Sequence, residues 1–243
     1  MKFNIYPTLL DAFGYMLGVE PEAREAAEQA LLDRINRVPE PLNEAPALGT
    51  AFNTMVDMIV DGKNAVTKPD HSVVLLPDGT YRAMIGDFVF VFNGDFARAA
   101  AAKFTDCVAQ VYTEAEVNTM YGSVKLYGYV DELCLDTIFD IKTTAKYTPF
   151  KYENHWQHIV YPYCLSASGQ MCDIDEFQYV VYELVQGKEQ PITGTCRVET
   201  YRTTQAERES KLRAYLESYV LPWLLDHKTQ ITDAKIMQED WQL

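Results

Sequence analysis

The sequence predicts a mixed α/β fold, because helical and β-strand patterns alternate along one chain. Apolar residues recur at helical spacing near both ends, and from His71 the period shortens to the two-residue alternation of strands. A further helical pattern at about 152–168 separates two groups of strands. With 48% hydrophobic and 23% charged residues, the composition is typical of a globular protein with a substantial core.

We expect a single domain over all 243 residues, because mixed α/β proteins of this length often remain undivided. Its expected parts are a helical N-terminal extension (1–45), a core (46–200) with a β-rich elaboration at about 70–115, and a C-terminal helix and tail (204–243).

The N-terminal quarter of the chain predicts three helices. The first covers 7–17, and the second covers 21–37, where Pro21 suits the first turn. The stretch VPEPLNEAP then breaks the helical pattern. Apolar residues at helical spacing predict a third helix over about 47–60, which Asp61-Gly62 ends.

Short strands come next. The segments SVVLL and YRAMI flank the turn PDGT, and FVFVF is followed by Asn93-Gly94, which together indicate a meander or a pair of hairpins. A short helix at 95–104 and another strand at 106–112 follow.

The middle of the chain contains two longer strands, SVKLYGYVDEL and DTIFDIKTT, separated by only a few residues. Such a short connection predicts antiparallel neighbours. The helix at about 152–168 contains Pro162, which can kink it. Strands at 177–185 and near 192–201 and a long amphipathic helix at about 204–226 complete the pattern.

The N-terminal segment MKFNIYPTLLDAFGYMLG lacks the features of a secretory signal, and no apolar run approaches membrane-spanning length. We therefore expect a cytoplasmic protein that does not enter membranes. The odd number of cysteines, without a C-x-x-C pair, favours reduced thiols in buried packing positions over a disulfide framework or zinc site. These are Cys107, Cys134, Cys164, Cys172 and Cys196.

The formal net charge of −14 argues against broad, nonspecific coating of nucleic acid, which requires basic surfaces. It does not exclude a nucleic-acid enzyme in which divalent cations supply the local positive charge.

Acid-x-Lys triplets are the first chemical signal, but the chain contains five of them. They begin at Asp61, Asp140, Glu209, Asp226 and Asp233. Only Asp140-Ile-Lys142 occupies a predicted strand, where residues two apart share a face, so Asp140 and Lys142 project together. Context therefore selects this triplet from the five.

Asp131 lies nine residues before Asp140, near the end of the preceding strand, so the two carboxylates are expected to lie close together. Two like charges on neighbouring strands repel unless a cation or a proton lies between them. Carboxylates suit Mg²⁺ or Mn²⁺, and the backbone carbonyl of Ile141 is a further candidate ligand. Lys142 is placed to orient or deprotonate water or to stabilise the oxyanion in phosphodiester hydrolysis.

Gly128-Tyr-Val-Asp131, Asp140-Ile-Lys142-Thr-Thr144 and Gln157-x-x-x-Tyr161, in this order, resemble the PD-(D/E)XK nuclease superfamily, in particular its RecB-like and phage-exonuclease branches. The resemblance covers about 126–165 and implies a restriction-endonuclease-like core, a central mixed β-sheet flanked by helices. It also implies metal binding and catalysis by Asp131, Asp140 and Lys142, and positioning of metal, lysine or DNA by Gln157 and Tyr161.

Upstream, Leu48-Gly-Thr-Ala-Phe-Asn53 resembles the segment that carries a metal-binding histidine in many RecB-like proteins. Asn53 stands at that position and is a weaker candidate ligand, and Asp57 lies one turn further on. Some of these relatives hold an iron–sulfur cluster through four cysteines. The cysteine spacing here does not match, and no cluster is expected.

The resemblance implies a DNA exonuclease or end-processing enzyme of recombination, repair or phage replication, in a prokaryote or phage-infected host. DNA ends or single strands are the expected partners, with a recombination or replication protein as another. Lys125, Lys146, Lys151, Tyr127, Tyr147 and Tyr152 could contact phosphates and bases, and His155 and His158 could approach DNA.

Other interpretations of the same residues stay open. Asp131 and Asp140 could be strand-end acids paired with Lys142, Gln157 and Tyr161 could be packing residues, and Asn53 a helix cap or polar core residue. The chain could also be a catalytically inactive nuclease-like binding module or an acidic DNA mimic.

Overall fold

The computed structural model describes residues 2–170, 174, 176–187 and 190–238. It has the predicted mixed α/β fold, with a central mixed β-sheet flanked by helices and a smaller four-stranded sheet beside it. Within the described residues, no helix is long and apolar enough to cross a membrane.

Helices and strands follow one another in an α/β order. The helices are α1 (Pro7–Gly18), α2 (Arg24–Ile35), α3 (Glu44–Val60), α4 (Gly94–Ala101), α5 (Gln157–Ala167), α6 (Gln205–Tyr215) and α7 (Leu221–Asp226). The strands are β1 (Lys2–Ile5), β2 (Ala65–Thr67), β3 (His71–Leu75), β4 (Tyr81–Ile85), β5 (Phe88–Phe92), β6 (Val108–Thr119), β7 (Gly122–Cys134), β8 (Thr137–Thr144), β9 (Glu176–Val185), β10 (Thr193–Arg202) and β11 (Met237–Gln238).

The central sheet is built around β7. Strands β6, β7 and β8 form an antiparallel meander, α5 connects β8 to the parallel strand β9, and β10 returns antiparallel to β9. One edge of β7 has two neighbours in succession: β1 pairs in parallel with Ser123–Leu126, and β8 pairs with Glu132–Cys134. In the described ladder, residues 127–131 lie between them without a neighbouring strand on that edge. We call this opening the fork.

Each face of the central sheet packs against its own apolar core. Alternate residues of β7, Val124, Leu126 and Val130, are buried in the core that includes α1, α5 and the C-terminal helices. On the opposite face, apolar residues of α3 pack with the small sheet and with Ile141 and Tyr182. The helical and two-residue periodicities of the sequence generate these buried faces.

Local signals define several helix ends. Pro7 begins α1, and the Asn93 side chain accepts a hydrogen bond from the N–H of Phe96 at the start of α4. A reciprocal capping box between Thr204 and Glu207 begins α6. Caps of this kind stabilise a helix by about 1 kcal/mol each.

The prediction does not include β1 or β11, and three other elements differ most from it. The two-residue alternation continues to Thr119, so 108–119 form β6 of the central sheet, and the β-rich elaboration is limited to β2–β5. The helix expected at 152–168 covers only Gln157–Ala167, and 152–154 form a turn before it. The helix expected at 204–226 contains a π-helical segment, Leu216–Val220, which ends two residues before Pro222. The missing N–H of Pro222 cannot continue the α-helical pattern.

The cysteines are less buried than expected. Cys164 is buried, whereas Cys107, Cys134 and Cys196 are partly buried, and all four are free thiols. Cys172 lies outside the described residues.

Candidate active site

Asp131 lies at the inner end of the fork. The last residue pair between β7 and β8 is Glu132 with Phe139, and Asp131 comes directly before it. The β6–β7 ladder skips Asp131 and Gln110, which has a left-handed φ of 54°. Asp131 Oδ2 accepts a hydrogen bond of 3.0 Å from the N–H of Ile141, so a side chain joins the two strands where their backbone pairing has ended.

Asp140 is the buried centre of the site, with 1% of its side chain exposed. Its Oδ2 lies 2.6 Å from Nζ of Lys142, and its Oδ1 accepts a hydrogen bond from Nε2 of Gln157. Lys142 remains 22% exposed and lies over the ring of Tyr179. The two residues of the triplet therefore meet on one side of β8, and the amide of Gln157 fixes the carboxylate from α5.

Tyr161 packs against β7 at a glycine. A Cβ atom at Gly128 would lie 2.7 Å from Cε1 of Tyr161, so the ring occupies the space that a side chain would need. Burial raises the pKa of Tyr161, and the negative charges of Asp140 and Asp131 raise it further, while a hydrogen bond with Gln157 lowers it. The predicted helix residues thus lie beside the two carboxylates.

The site contains more buried negative than positive charge. Burial and then the neighbouring Asp140 raise the pKa of Asp131 to about 7, against the effects of Lys142 and the N–H of Ile141. Burial also raises the pKa of Asp140 against the effect of Lys142. One lysine faces two carboxylates, so a proton or another cation is favoured here.

A second acidic pair adjoins the site. Glu132 is fully buried, and neither of its carboxyl oxygens accepts a hydrogen bond from an N–H or hydroxyl group of the described residues. Burial and then the negative charge of Asp57 on α3 raise the pKa of Glu132 to about 8. Burial and then the negative charge of Asp61 raise the pKa of Asp57 to about 6, against the effect of Lys68. A proton on either carboxyl group would relieve the repulsion between Glu132 and Asp57.

Sequence reasoning missed Glu132, although a signal was present. In β7, Val124, Leu126 and Val130 occupy alternate positions and predict an apolar residue at 132. An acid at such a position indicates a buried carboxyl group. Asp57, one turn after Asn53 on α3, lies near Glu132 and Asp131.

Asn53 lies on α3, which packs against β8. Gly49, one turn earlier on the same helix face, lies where a Cβ atom would be 3.4 Å from the hydroxyl of Thr143. The side-chain oxygen of Asn53 is buried and has no hydrogen-bond partner among the described residues. No described hydrogen bond connects Asn53 to Asp131, Asp140 or Ile141.

The donor atoms of the site are oxygens. Asp131 and Asp140 offer carboxylates, and Ile141 and Asn53 offer carbonyl groups, which are the ligands of Mg²⁺ and Mn²⁺. Excess buried negative charge and the unpartnered oxygen of Asn53 fit such a cation. Within the described part of the chain, no group of three or more His, Cys, Asp or Glu residues could hold a metal ion, so waters would have to complete its coordination.

The two histidines of this region differ. Nδ1 of His155 lies 3.3 Å from Oδ2 of Asp11, and Oδ1 of Asp11 accepts a hydrogen bond of 2.8 Å from the N–H of Trp156. His155 is partly exposed. His158 is buried and stacks on Tyr201, so the expectation that it approaches DNA is wrong.

Comparisons with known proteins leave the family open. No protein-family model matches the chain, and no curated protein matches it. Among solved structures, the chain is similar to the crystal structure of SSO0001, with 13% identity and a TM-score of 0.42, over 98% of this chain and 89% of that chain. A likeness at this level carries no argument about function.

Proposed function

We propose that the chain is a Mg²⁺- or Mn²⁺-dependent deoxyribonuclease of the PD-(D/E)XK type, acting as an exonuclease or end-processing enzyme. One observation carries the proposal: two carboxylates, Asp131 and Asp140, meet at an open fork in the sheet beside Lys142. Burying like charges together costs stability, and a catalytic role gives a physical reason for this cost.

The residues of the site have different roles in the proposed phosphodiester hydrolysis. A bound divalent cation supplies charge neutralisation at the phosphate and lowers the pKa of water. Asp131 and Asp140 would hold the cation, with the carbonyl groups of Ile141 and Asn53 as further donors. Lys142, whose side chain is partly exposed, orients the attacking water or donates a hydrogen bond to a phosphate oxygen as negative charge develops there.

Two other side chains position these groups. Gln157 fixes one oxygen of Asp140, which leaves the other directed at Lys142. Tyr161 fills the space over Gly128 and excludes water from the inner side of the site. In this proposal both are positioning residues, and substitutions there reduce the rate less than substitutions of Asp140 or Lys142.

End-labelled linear DNA and closed circular DNA, incubated with Mg²⁺, Mn²⁺ or EDTA, test the proposal. Cleavage is expected only with a metal and is expected to disappear in Asp140→Ala. Asp61→Asn is a matched control, because Asp61 and Lys63 form an exposed acid-x-Lys ion pair of 2.7 Å. Cleavage that survives both EDTA and Asp140→Ala contradicts the proposed site. Digestion of linear but not circular DNA supports an exonuclease.

A second candidate is a catalytically inactive nuclease-like protein that binds a partner. Asn53 at the position of a metal-binding histidine, with Lys142 paired to Asp140, favours this candidate. No cleavage by the wild-type protein with any metal, together with DNA or protein binding, would favour it over the nuclease. An acidic DNA mimic would compete with DNA for another protein and would bind no DNA itself.

A further inference from the structure

We infer that Cys107 and Cys134 form an oxidation site, at which a small disulfide compound converts the two thiols into a disulfide bond between β6 and β7. The bond closes the open end of the β6–β7 hairpin, next to the turn that leads into β8. The inference goes beyond the proposed nuclease and does not depend on it, because neither thiol takes part in the proposed hydrolysis.

The register of β6 and β7 places the two cysteines opposite each other. Val108 pairs with Leu133, so one step further out Cys107, directly before β6, lies across from Cys134, the last residue of β7. Opposite residues of an antiparallel pair have Cα atoms about 4.5–5.5 Å apart, within the range of about 4.4–6.8 Å that a disulfide needs. Their Cβ atoms have to approach by only about 1 Å.

The contacts of the sulfur atoms agree with this register. The thiol of Cys107 lies within hydrogen-bonding reach of Cys134. The thiol of Cys134 donates a hydrogen bond of 3.7 Å to the carbonyl oxygen of Asp106, the residue before Cys107. Both cysteines are free thiols and only partly buried, so a small reagent can reach them. A bond between them therefore requires no change in the strand pairing.

The other two described cysteines lie elsewhere in the fold. Cys164 is buried on α5, where its thiol donates a hydrogen bond to the carbonyl oxygen of Leu126. Cys196 lies on β10, opposite Tyr182 of β9. Among the four described thiols, oxidation to a disulfide is therefore expected at Cys107 and Cys134.

The charges around the pair determine which oxidant suits it. Burial and then the neighbouring Cys134 raise the pKa of Cys107 to about 12, and the negative charges of Glu132 and Asp106 act in the same direction. Cys107 therefore stays protonated near neutral pH, and Cys134 makes the first attack. These acidic groups and the formal net charge of −14 attract a cationic disulfide such as cystamine and repel an anionic one such as oxidised glutathione.

The exchange proceeds in two steps. The thiolate of Cys134 attacks one sulfur of cystamine, so that an S–S bond forms between Cys134 and cysteamine while the other cysteamine leaves and takes up the proton that Cys134 lost. Cys107 then attacks Sγ of Cys134, and its proton passes to the second cysteamine as that thiol leaves. Two protein thiols are oxidised, and one reagent disulfide is reduced to two thiols.

The bond acts on a weakly held end of the hairpin. The β6–β7 ladder skips Gln110 and Asp131, which leaves two described residue pairs beyond the gap, Val108 with Leu133 and Ala109 with Glu132. A disulfide directly after these pairs keeps them from separating. It also closes a long loop and restricts the unfolded chain, so the melting temperature is expected to rise by about 5–10 °C.

Cystamine treatment of the full chain tests the inference, with alkylation under denaturing conditions and peptide mass spectrometry as the readout. A cross-linked peptide containing Cys107 and Cys134 is expected, with alkylation of three cysteines instead of five. The melting temperature should rise by about 5–10 °C and return to the untreated value in dithiothreitol. Cys134→Ser should show neither the cross-link nor the rise, and the matched control Cys196→Ser should show both.

Other products of the reaction would overturn the inference. These are mixed disulfides with cysteamine that persist at Cys107 or Cys134 in the wild-type protein, and a bond from either residue to a different cysteine. A cross-link between Cys107 and Cys134 that leaves the melting temperature unchanged would also contradict it. DNA cleavage is not a readout in this experiment, so the failure of the proposed nuclease would leave its result unchanged.

Discussion

The ring of Tyr161 occupies the position of a side chain at Gly128, because a Cβ atom there would approach Cε1 of the ring to 2.7 Å. This contact connects β7, which carries Asp131, with α5, which carries Gln157. It therefore fixes the distance between the helix and the strand on which the geometry of the candidate site depends.

Gly128→Ala is expected to displace Tyr161 and to lower the free energy of unfolding by about 1–3 kcal/mol, as for other overpacked positions. The proposed nuclease activity should fall as well, since Gln157 shifts with the helix. Thermal unfolding and cleavage rates measure the two effects. Gly18→Ala is the control, because nothing lies within 4 Å of a Cβ atom there. An unchanged melting temperature in Gly128→Ala would contradict the contact.

Lys142→Met is expected to abolish cleavage and to destabilise the protein at pH 8 by about 2–4 kcal/mol, because Asp140 becomes a buried charge without its partner. The double variant Asp140→Asn/Lys142→Met should regain most of this stability and none of the activity. Denaturant unfolding at pH 8 compares the three proteins. Equal stabilities for the single and double variants would show that the ion pair is unimportant.

Asp131 predicts a pH effect of defined sign. Its pKa is raised to about 7 in the folded protein, so the folded state binds more protons than the unfolded state between about pH 4 and 7. Without metal, stability should therefore fall as pH rises through this window. Asp131→Asn should reduce this loss of stability. Binding of Mg²⁺ or Mn²⁺ should offset the loss above pH 7. Melting temperatures from pH 5 to 9, with and without metal, test this.

His158 predicts a pH dependence of stability with the opposite sign. Burial lowers its pKa to about 3, so the neutral ring stabilises the fold above its unfolded pKa of about 6.5, and this contribution is lost as pH falls toward 3. His158→Phe can keep the stacking on Tyr201. Between pH 7 and 4, its free energy of unfolding should fall by about 2–3 kcal/mol less than that of the wild type. Urea unfolding at the two pH values measures the difference, and identical losses would refute it.

Asn53→His tests the third metal ligand. An imidazole binds Mn²⁺ better than Mg²⁺, so the variant is expected to shift cleavage toward Mn²⁺ if residue 53 reaches the cation. The measurement is the ratio of the cleavage rate with Mn²⁺ to the cleavage rate with Mg²⁺. Asn53→Ala controls for the loss of the amide. A ratio that matches the wild type in both variants would exclude residue 53 from the coordination sphere.

Short-range patterns predicted the parts of this fold that depend on neighbouring residues. The brief connection near Cys134 predicted that β7 and β8 are antiparallel, and the two-residue period placed Asp140 and Lys142 together. Strand β1 was missed because its four residues are too few for a period and its partner β7 lies more than a hundred residues later. The contact of Glu132 with Asp57 joins a strand to a distant helix, which periodicity does not determine.

The fork depends on the length of the first strand. A strand edge holds one neighbour at a time, so β1 limits how far β8 can extend along β7, and the residues that neither covers define the aperture. Two further pairing residues at the Ile5 end of β1 would narrow the fork by about 7 Å, and two fewer would widen it by as much. The width of the opening beside Asp131 is thus determined by where β1 gives way to α1, at Tyr6 and Pro7, far along the sequence from the acid-x-Lys strand.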